Sequence, residues 1–355
     1  MQDQINDATR RALMRAGAFG AAAAGVGTLL GGTARAQGAG GPFPNHPKWR
    51  FVFVNHVTTN PFFVPTQYGI EDACTILGCD HQWTGSATSN AAEMVNAMNT
   101  AIAGKADAIA VCLVDAQAFN RPIQQALAAG IPVFSYNADA PQSGRLAYIG
   151  QELYKAGQLM GERIVQLVPE GDVALFISTP GQSNIQPRID GAQDAIKQSG
   201  KKINASVIAT GAIIGDELNA IKAYYLGHQG VKGMFAVDGG STQSIGQVMR
   251  ENGLAAKGVK AGGFDLLPLT LQAIDAGHMD FTIDQQPYLQ GFYTAIQMFT
   301  FLASGGLVGP ADTNTGLKFV TKDSVKPYLA TKTRFEGDSQ TAQVVPRPSS
   351  IGGAG

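Results

Sequence analysis

The sequence predicts an α/β protein of two lobes, each a doubly wound, mostly parallel sheet flanked by helices. Two observations carry this. Short segments such as Phe51-Val52-Phe53-Val54 within 50–55 and Ala108-Ile109-Ala110-Val111-Cys112-Leu113 are continuous apolar runs, the mark of strands buried on both faces of a parallel sheet. Between them lie stretches of helical spacing that stop at a glycine, as at Gly78, Gly104 and Gly130, where a left-handed residue ends a helix without strain. The alternation runs once from residue 50 to 136 and restarts after Tyr154. A chain of 355 residues has room for two such units, at about 100–200 residues per domain.

Element by element, the first series reads strand 50–55, helix 65–77, strand 80–84, helix 91–103, strand 108–113, helix 120–129 and strand 131–136. The second reads helix 153–168, strand 172–177, helix 188–198, strand 203–209, helix 217–228, strand 233–237, helix 244–252, strand 260–264, helix 268–276 and strand 281–284. A last long helix spans 288–303. Residues 37–47 are rich in Gly and Pro and read as a lead-in, and the polar, Pro/Gly-rich segment 338–355 reads as a flexible tail.

The first 36 residues have a different character. Arg10-Arg11-Ala12-Leu13-Met14 precedes a Gly/Ala-rich apolar run, and Ala34-Arg35-Ala36 supplies a small-x-small cleavage site. This pattern is that of a secretory signal cleaved near Ala36, and its paired arginines and weakly apolar core fit twin-arginine export to the periplasm. The run is near the lower length for a membrane span, and no second long apolar run follows, so the mature chain is expected not to be membrane-embedded.

The first 36 residues hold four of the 26 Lys+Arg and two of the 27 Asp+Glu, leaving 22 against 25, a net charge of −3. This is not the footprint of a nucleic-acid partner. The three cysteines, Cys74, Cys79 and Cys112, form no even-numbered disulfide framework, though Cys74 and Cys79 are near enough in sequence to pair. The five histidines show no His-x-x-x-His spacing, and neither a Cys-x-x-Cys pair, a phosphate-binding glycine loop with Lys nor a Gly-x-Ser-x-Gly elbow occurs. No metal, no cofactor and no catalysis is expected.

In doubly wound sheets, ligands sit outside the carboxyl ends of the strands. Those positions hold His56, Asn60, Phe62 and Phe63 after the first strand, and Asn137 and Asp139 after the fourth. In the second series they hold Arg188, Asp238, Asp265 and Gln285. Amides, carboxylates and an arginine match sugar hydroxyls, which both donate and accept, while aromatic rings cover the apolar C–H face of a sugar. Each residue has a plainer reading: Asn and Asp cap helices, Phe62 and Phe63 can be core, His56 can serve a turn, and Arg188 can pair with Asp190 or Asp194. The coincidence of polar groups at most strand ends of both lobes favours a ligand in the cleft between them.

With these residues in view, the chain resembles the periplasmic sugar-binding proteins of ABC transporters, the ribose/galactose-binding group with the type I periplasmic-binding fold. The resemblance spans roughly residues 50–329. It is carried by Asn60-Pro61-Phe62-Phe63, Ala129-Gly130-Ile131-Pro132-Val133, Arg188-Ile189-Asp190-Gly191, Gly262-Gly263-Phe264-Asp265 and Thr282-Ile283-Asp284-Gln285-Gln286-Pro287. It implies a hinge of three crossings, near Gln151, Gln286 and Asp312, giving a first lobe of 48–150 with 286–312 and a second of 151–285 with 313–337. It implies Asn60 as a hydroxyl ligand, Phe62 and Phe63 as stacking rings, and Arg188, Asp265 and Gln285 as second-lobe ligands. Asp238 stands where the family carries Asn or Asp.

There are departures: Ala138 stands in place of an arginine and Leu113 in place of an asparagine, and no aromatic lies around Ile214-Gly215. These point away from ribose itself; Asp139 offers a nearby carboxylate, and Trp83 can add to a different pocket shape. The implied function is delivery of a neutral monosaccharide or sugar alcohol to a membrane permease by hinge closure. The alternatives are binding of an autoinducer-2-like furanose, or presentation of ligand to a sensory partner such as a chemoreceptor.

Overall fold

The computed structural model describes residues 45–307, 309–330 and 334–335. The expected signal (1–36) and tail (338–355) lie outside the described residues. The first lobe opens with β1 (Arg50–Asn55), α1 (Val64–Leu77), β2 (Asp80–Gly85), α2 (Ala91–Ala103), β3 (Ala108–Val111), α3 (Asn120–Ala128), β4 (Val133–Tyr136) and β5 (Tyr148–Gly150). The second holds α4 (Leu153–Leu167), β6 (Gly171–Ile177), α5 (Gln186–Gln198), β7 (Ile203–Ala209), α6 (Ile214–Gly227), β8 (Gly233–Ala236), α7 (Gly239–Glu251), β9 (Lys260–Phe264), α8 (Pro268–Asp275) and β10 (Phe281–Asp284). The chain then returns to the first lobe as α9 (Pro287–Ala303) and β11 (Asp312–Asn314), and ends in the second as β12 (Lys318–Val320) and α10 (Lys326–Ala330).

The two sheets run β11-β5-β4-β3-β1-β2 and β12-β10-β9-β8-β6-β7. All pairings are parallel except that of β12 with β10. Phe51, Val52, Phe53 and Val54 are all fully buried, as a central parallel strand between two helix layers requires. Truncating one such ring, Phe53→Ala, is expected to cost about 3–5 kcal/mol. In both sheets the order reverses beside the first strand of the lobe, which makes a crevice at the strands' carboxyl ends.

Three short strands, β5, β11 and β12, were not expected from the sequence. Each is only three residues long, too short to show a period, and each is fixed by its neighbour rather than by its own pattern. β11 pairs with β5 from Asp312 to Asn314. The third crossing therefore falls at 315–317 and not at Asp312, and residues 313–314 belong to the first lobe. The far end also departs from the expected division. Arg334 meets Glu71 at 2.5 Å and Asp72 at 2.9 Å and stacks on the Tyr68 ring, and Phe335 packs edge-on to Tyr288. Residues 334–335 thus lie on the first lobe's α1–α9 face, held by ion pairs, while α10 just before them packs on the second lobe through Tyr328.

The crossings are stitched to one another. The Thr315 N–H donates to the Gly150 carbonyl at 3.0 Å and its hydroxyl to the Gln285 carbonyl at 2.8 Å. The Gln151 amide, fully buried, donates to the Gly316 carbonyl at 3.1 Å. Cys74, Cys79 and Cys112 are free buried thiols; burial pushes Cys79 up to about 11, so it stays protonated at neutral pH. Among the described residues no helix is long and apolar enough to cross a membrane.

Candidate ligand-binding cleft

The first-lobe wall of the cleft is built from the loop after β1. Asn60 caps a 3-10 turn, its side-chain oxygen accepting from the Phe62 N–H at 2.9 Å, and Pro61 pre-sets that turn. The turn presents Phe62, half-buried, edge-on to the fully buried Phe63, with ring centroids 4.7 Å apart. Phe63 also meets the His56 imidazole edge-on at 5.3 Å. Trp83 packs behind Phe63 and donates its indole N–H to the Thr58 carbonyl at 3.2 Å, so it supports the wall without lining it. Asn137, left-handed at φ 63°, donates its amide to Gln290 at 3.1 Å.

The second-lobe wall is polar. Arg188 in the first turn of α5 is buried; its guanidinium donates to the Val237 carbonyl at 2.8 Å and to Gln151 at 2.9 Å, and stacks 4.1 Å above the Phe264 ring. Neither Asp190 nor Asp194 is its partner: Gln186 donates to the former and the Tyr154 hydroxyl to the latter. Arg188 is set by close helix packing, because a Cβ on Gly157 of α4 would strike the Arg188 carbonyl and lie 2.6 Å from its Cα. Asp265, left-handed at φ 76°, accepts from the Gln285 amide at 2.7 Å. Asp238 caps α7: one oxygen accepts from the Ser241 N–H at 2.9 Å, the other from the Ser178 N–H at 3.0 Å.

Nine of the ten sequence-derived residues line one space between the lobes: His56, Asn60, Phe62, Phe63, Asn137, Arg188, Asp238, Asp265 and Gln285. That space holds some 530 Å³ free of protein atoms, part of it open to solvent. Asp139 is the exception: its place after the fourth strand predicts a cleft residue, but it does not line this space. It accepts from the Ser135 hydroxyl at 2.7 Å and makes a two-point ion pair with Arg145, at 2.9 and 2.7 Å, beside the sheet edge where Arg145 also meets Asp312. A strong cationic partner six residues downstream draws it away from the cleft.

Among the residues that the sequence does not single out, Ser89 and Glu217 also line this space. Glu217 looks in sequence like an ordinary acid near a helix start. In the structure it is buried in the first turn of α6. Burial, with Asp238 adjacent, pushes its carboxyl up to about 10. Burial alone dominates at His56, held down to about 4, and at Asp265, raised to about 6 against the pull of Arg188. In the cleft His56 is therefore neutral at physiological pH.

Four buried polar atoms of this lining have no protein partner: His56 Nε2, Asn184 Oδ1, Arg188 Nε and Glu217 Oε2. Buried polar groups are nearly always paired, and four of the ten unpaired ones among the described residues gather at this cleft beside two phenylalanine rings. The arrangement can surround a small uncharged polyhydroxyl molecule, with donors and acceptors on one side and ring faces on the other.

The fold and cleft define a two-lobed solute receptor, and the chain belongs to the family whose model is described as the periplasmic binding protein domain, matched over residues 51–306. Among curated relatives it is similar to the xylose/arabinose-binding protein XylF of Sulfolobus acidocaldarius, 51% identical over 330 residues covering 89% of this chain and 81% of that one. It is also similar to the ribose import binding protein RbsB of Escherichia coli, 24% identical over 229 residues covering 64% and 76%. Among solved structures, an ABC-transporter solute-binding protein from Burkholderia graminis in complex with D-arabinose aligns with a TM-score of 0.74 at 25% identity, covering 80% of this chain and 99% of that one. A carbohydrate transporter protein from Acidothermus cellulolyticus in complex with myo-inositol shares the fold, with a TM-score of 0.72 at 24% identity and coverage of 82% and 100%. The family's home is outside the cytoplasm, and sugar-binding transport receptors form its surroundings here.

Proposed function

We propose that this chain is the substrate receptor of an ABC sugar importer, that it binds a neutral pentose between its lobes, and that it works in the periplasm after twin-arginine export. The observation that carries the binding reading is the convergence of four unpaired buried polar atoms with Phe62 and Phe63 on one interlobe space. The pentose, rather than another sugar, follows from the 51% identical relative, whose name specifies xylose and arabinose.

In this reading the C–H face of the sugar lies on the Phe62 ring, with Phe63 behind it. Arg188 and Asp265 give charge-assisted bonds to hydroxyls, and His56, Asn137 and Gln285 give neutral ones. The ligand touches both lobes, so it favours the closed arrangement over the open one by its differential contacts, and the closed protein docks on the permease. The experiment is calorimetric titration of the protein with D-xylose, L-arabinose, D-arabinose, D-ribose, D-glucose, myo-inositol and D-xylonate. A pentose binding most tightly, with xylonate at least tenfold weaker, is the expected result. Tightest binding of the sugar acid, or no binding of any sugar, overturns the assignment.

A further inference from the structure

The second-lobe wall carries three carboxyl groups, and they are not equivalent. Both oxygens of Asp238 are engaged by backbone donors, the N–H groups of Ser178 and Ser241. Asp265 holds the Gln285 amide. Glu217 is different: only 3% exposed, it lines the cleft with Oε2 unpartnered. It reaches that position because residue 240 is glycine, where a Cβ would overlap Glu217 Oε2. Two of the helix starts that wall the cleft, of α6 and α7, thus meet through this one side chain.

We infer that Glu217 is a specificity-determining residue of the cleft: as an uncharged carboxylic acid hydrogen-bonded to Asp238 it accepts at its unpartnered Oε2 from one hydroxyl of the bound sugar, while Asp238 is a positioning residue that holds its proton. This rests on the sugar-binding reading above. Two carboxyl groups packed together away from water cannot both ionise. Burial pushes both carboxyls up, but Asp238 receives two backbone N–H bonds and the Glu217 side chain, which favour its anion, so the one proton of the pair resides on Glu217. With its O–H given to the Asp238 carboxylate, the remaining Glu217 oxygen is left to accept from a sugar hydroxyl. It offers no counter-charge to a cationic ligand, and the adjacent Asp238 anion disfavours an anionic one. The family resemblance assigns no ligand role to this position, and its neighbours Ile214 and Gly215 lack the aromatic that the resemblance implies there.

The test is titration of wild type, Glu217→Gln and Glu217→Leu with D-xylose and L-arabinose, and with the monodeoxy derivatives of whichever binds more tightly. Glutamine reproduces the shape and the donor–acceptor character of the acid, so its dissociation constant should stay within about threefold of wild type; leucine should lose about tenfold or more, the size of one lost hydrogen bond. One deoxy sugar should be weakened on wild type yet bind Glu217→Leu as well as its parent does, a coupling that identifies the hydroxyl. Infrared difference spectra on adding sugar should show a shifted protonated-carboxyl band in wild type that is missing in Glu217→Gln. Leucine binding both parent sugars like wild type, or no deoxy sugar showing coupling, overturns the role of Glu217 while leaving the receptor reading intact. Wild type binding neither sugar overturns the receptor reading and this inference with it. Ligand-free thermal unfolding of each variant separates loss of binding from loss of fold.

Discussion

Ser89 on the first lobe donates its hydroxyl hydrogen bond to Gln182 on the second at 2.8 Å, and the Gln182 amide returns one to the Ser89 carbonyl at 3.1 Å. Beside them the Ser183 N–H donates to the Val114 carbonyl at 3.0 Å, and the Ser183 hydroxyl bonds the Leu113 carbonyl. These contacts tie the lips of the cleft together directly. The same Ser89 hydroxyl lies 3.1 Å from His56 Nδ1, whose other ring nitrogen lines the cleft, so the latch and the binding wall share a side chain.

Removing the latch should favour the open arrangement. Gln182→Ala loses two interlobe bonds and is expected to weaken pentose affinity by about tenfold, at roughly 0.5–1.5 kcal/mol per bond. Stopped-flow measurement should show the change mainly as faster dissociation. An unchanged dissociation rate contradicts a latching role.

Arg188 is a fork, not merely a charge. Its two bonded nitrogens serve Val237 and Gln151 while the plane stacks on Phe264, and a lysine cannot do all three. Arg188→Lys is expected to weaken sugar binding by about 10–100-fold, read by calorimetry. Wild-type affinity in the lysine variant would remove Arg188 from the ligand set.

Acid should act on His56 and Asp265 in opposite directions. His56 is lowered from 6.5 to about 4, so between those values the unfolded chain takes a proton that the folded protein refuses, and stability falls as pH drops. Asp265 is raised from 3.8 to about 6; there the folded protein takes the proton first, and stability rises as pH drops. Each contributes on the order of 3 kcal/mol across its window. Denaturant unfolding from pH 7 to 4 should therefore show His56→Gln gaining stability relative to wild type as pH falls, and Asp265→Asn losing it. Parallel curves for wild type and either variant contradict the corresponding shift.

Arg334 should matter to stability although it stands far from the cleft. It is buried against Glu71, Asp72 and the Tyr68 ring, and Asp72 also accepts from the Tyr288 hydroxyl at 2.8 Å. Arg334→Ala leaves a partly buried acid pair without its cation and is expected to cost about 1–3 kcal/mol in urea unfolding. No change in the midpoint contradicts the tie.

The larger elements were legible because their signals are local. A strand such as β1 announces itself by four apolar residues in a row, and α1 ends where Gly78 turns left-handed at φ 66°. Site residues were legible where fold geometry alone fixes them, just past a strand's carboxyl end, as with Asn137 and Asp265. What failed was partner choice across distance. Asp139 occupies such a position but is captured by Arg145, and no strand-end rule counts competing cations. Glu217 carries no strand-end mark, and its burial follows from Gly240 on another helix. β11 and β12 exist only because β5 and β10 offer edges.

The most direct measurement is a crystal structure of the protein grown with the pentose that titrates most tightly. Sugar density is expected between the lobes, with the C–H face on Phe62 and the hydroxyls within hydrogen-bond reach of Arg188, Asp265 and Gln285. Density for the sugar elsewhere on the molecule, with this cleft holding none, contradicts it.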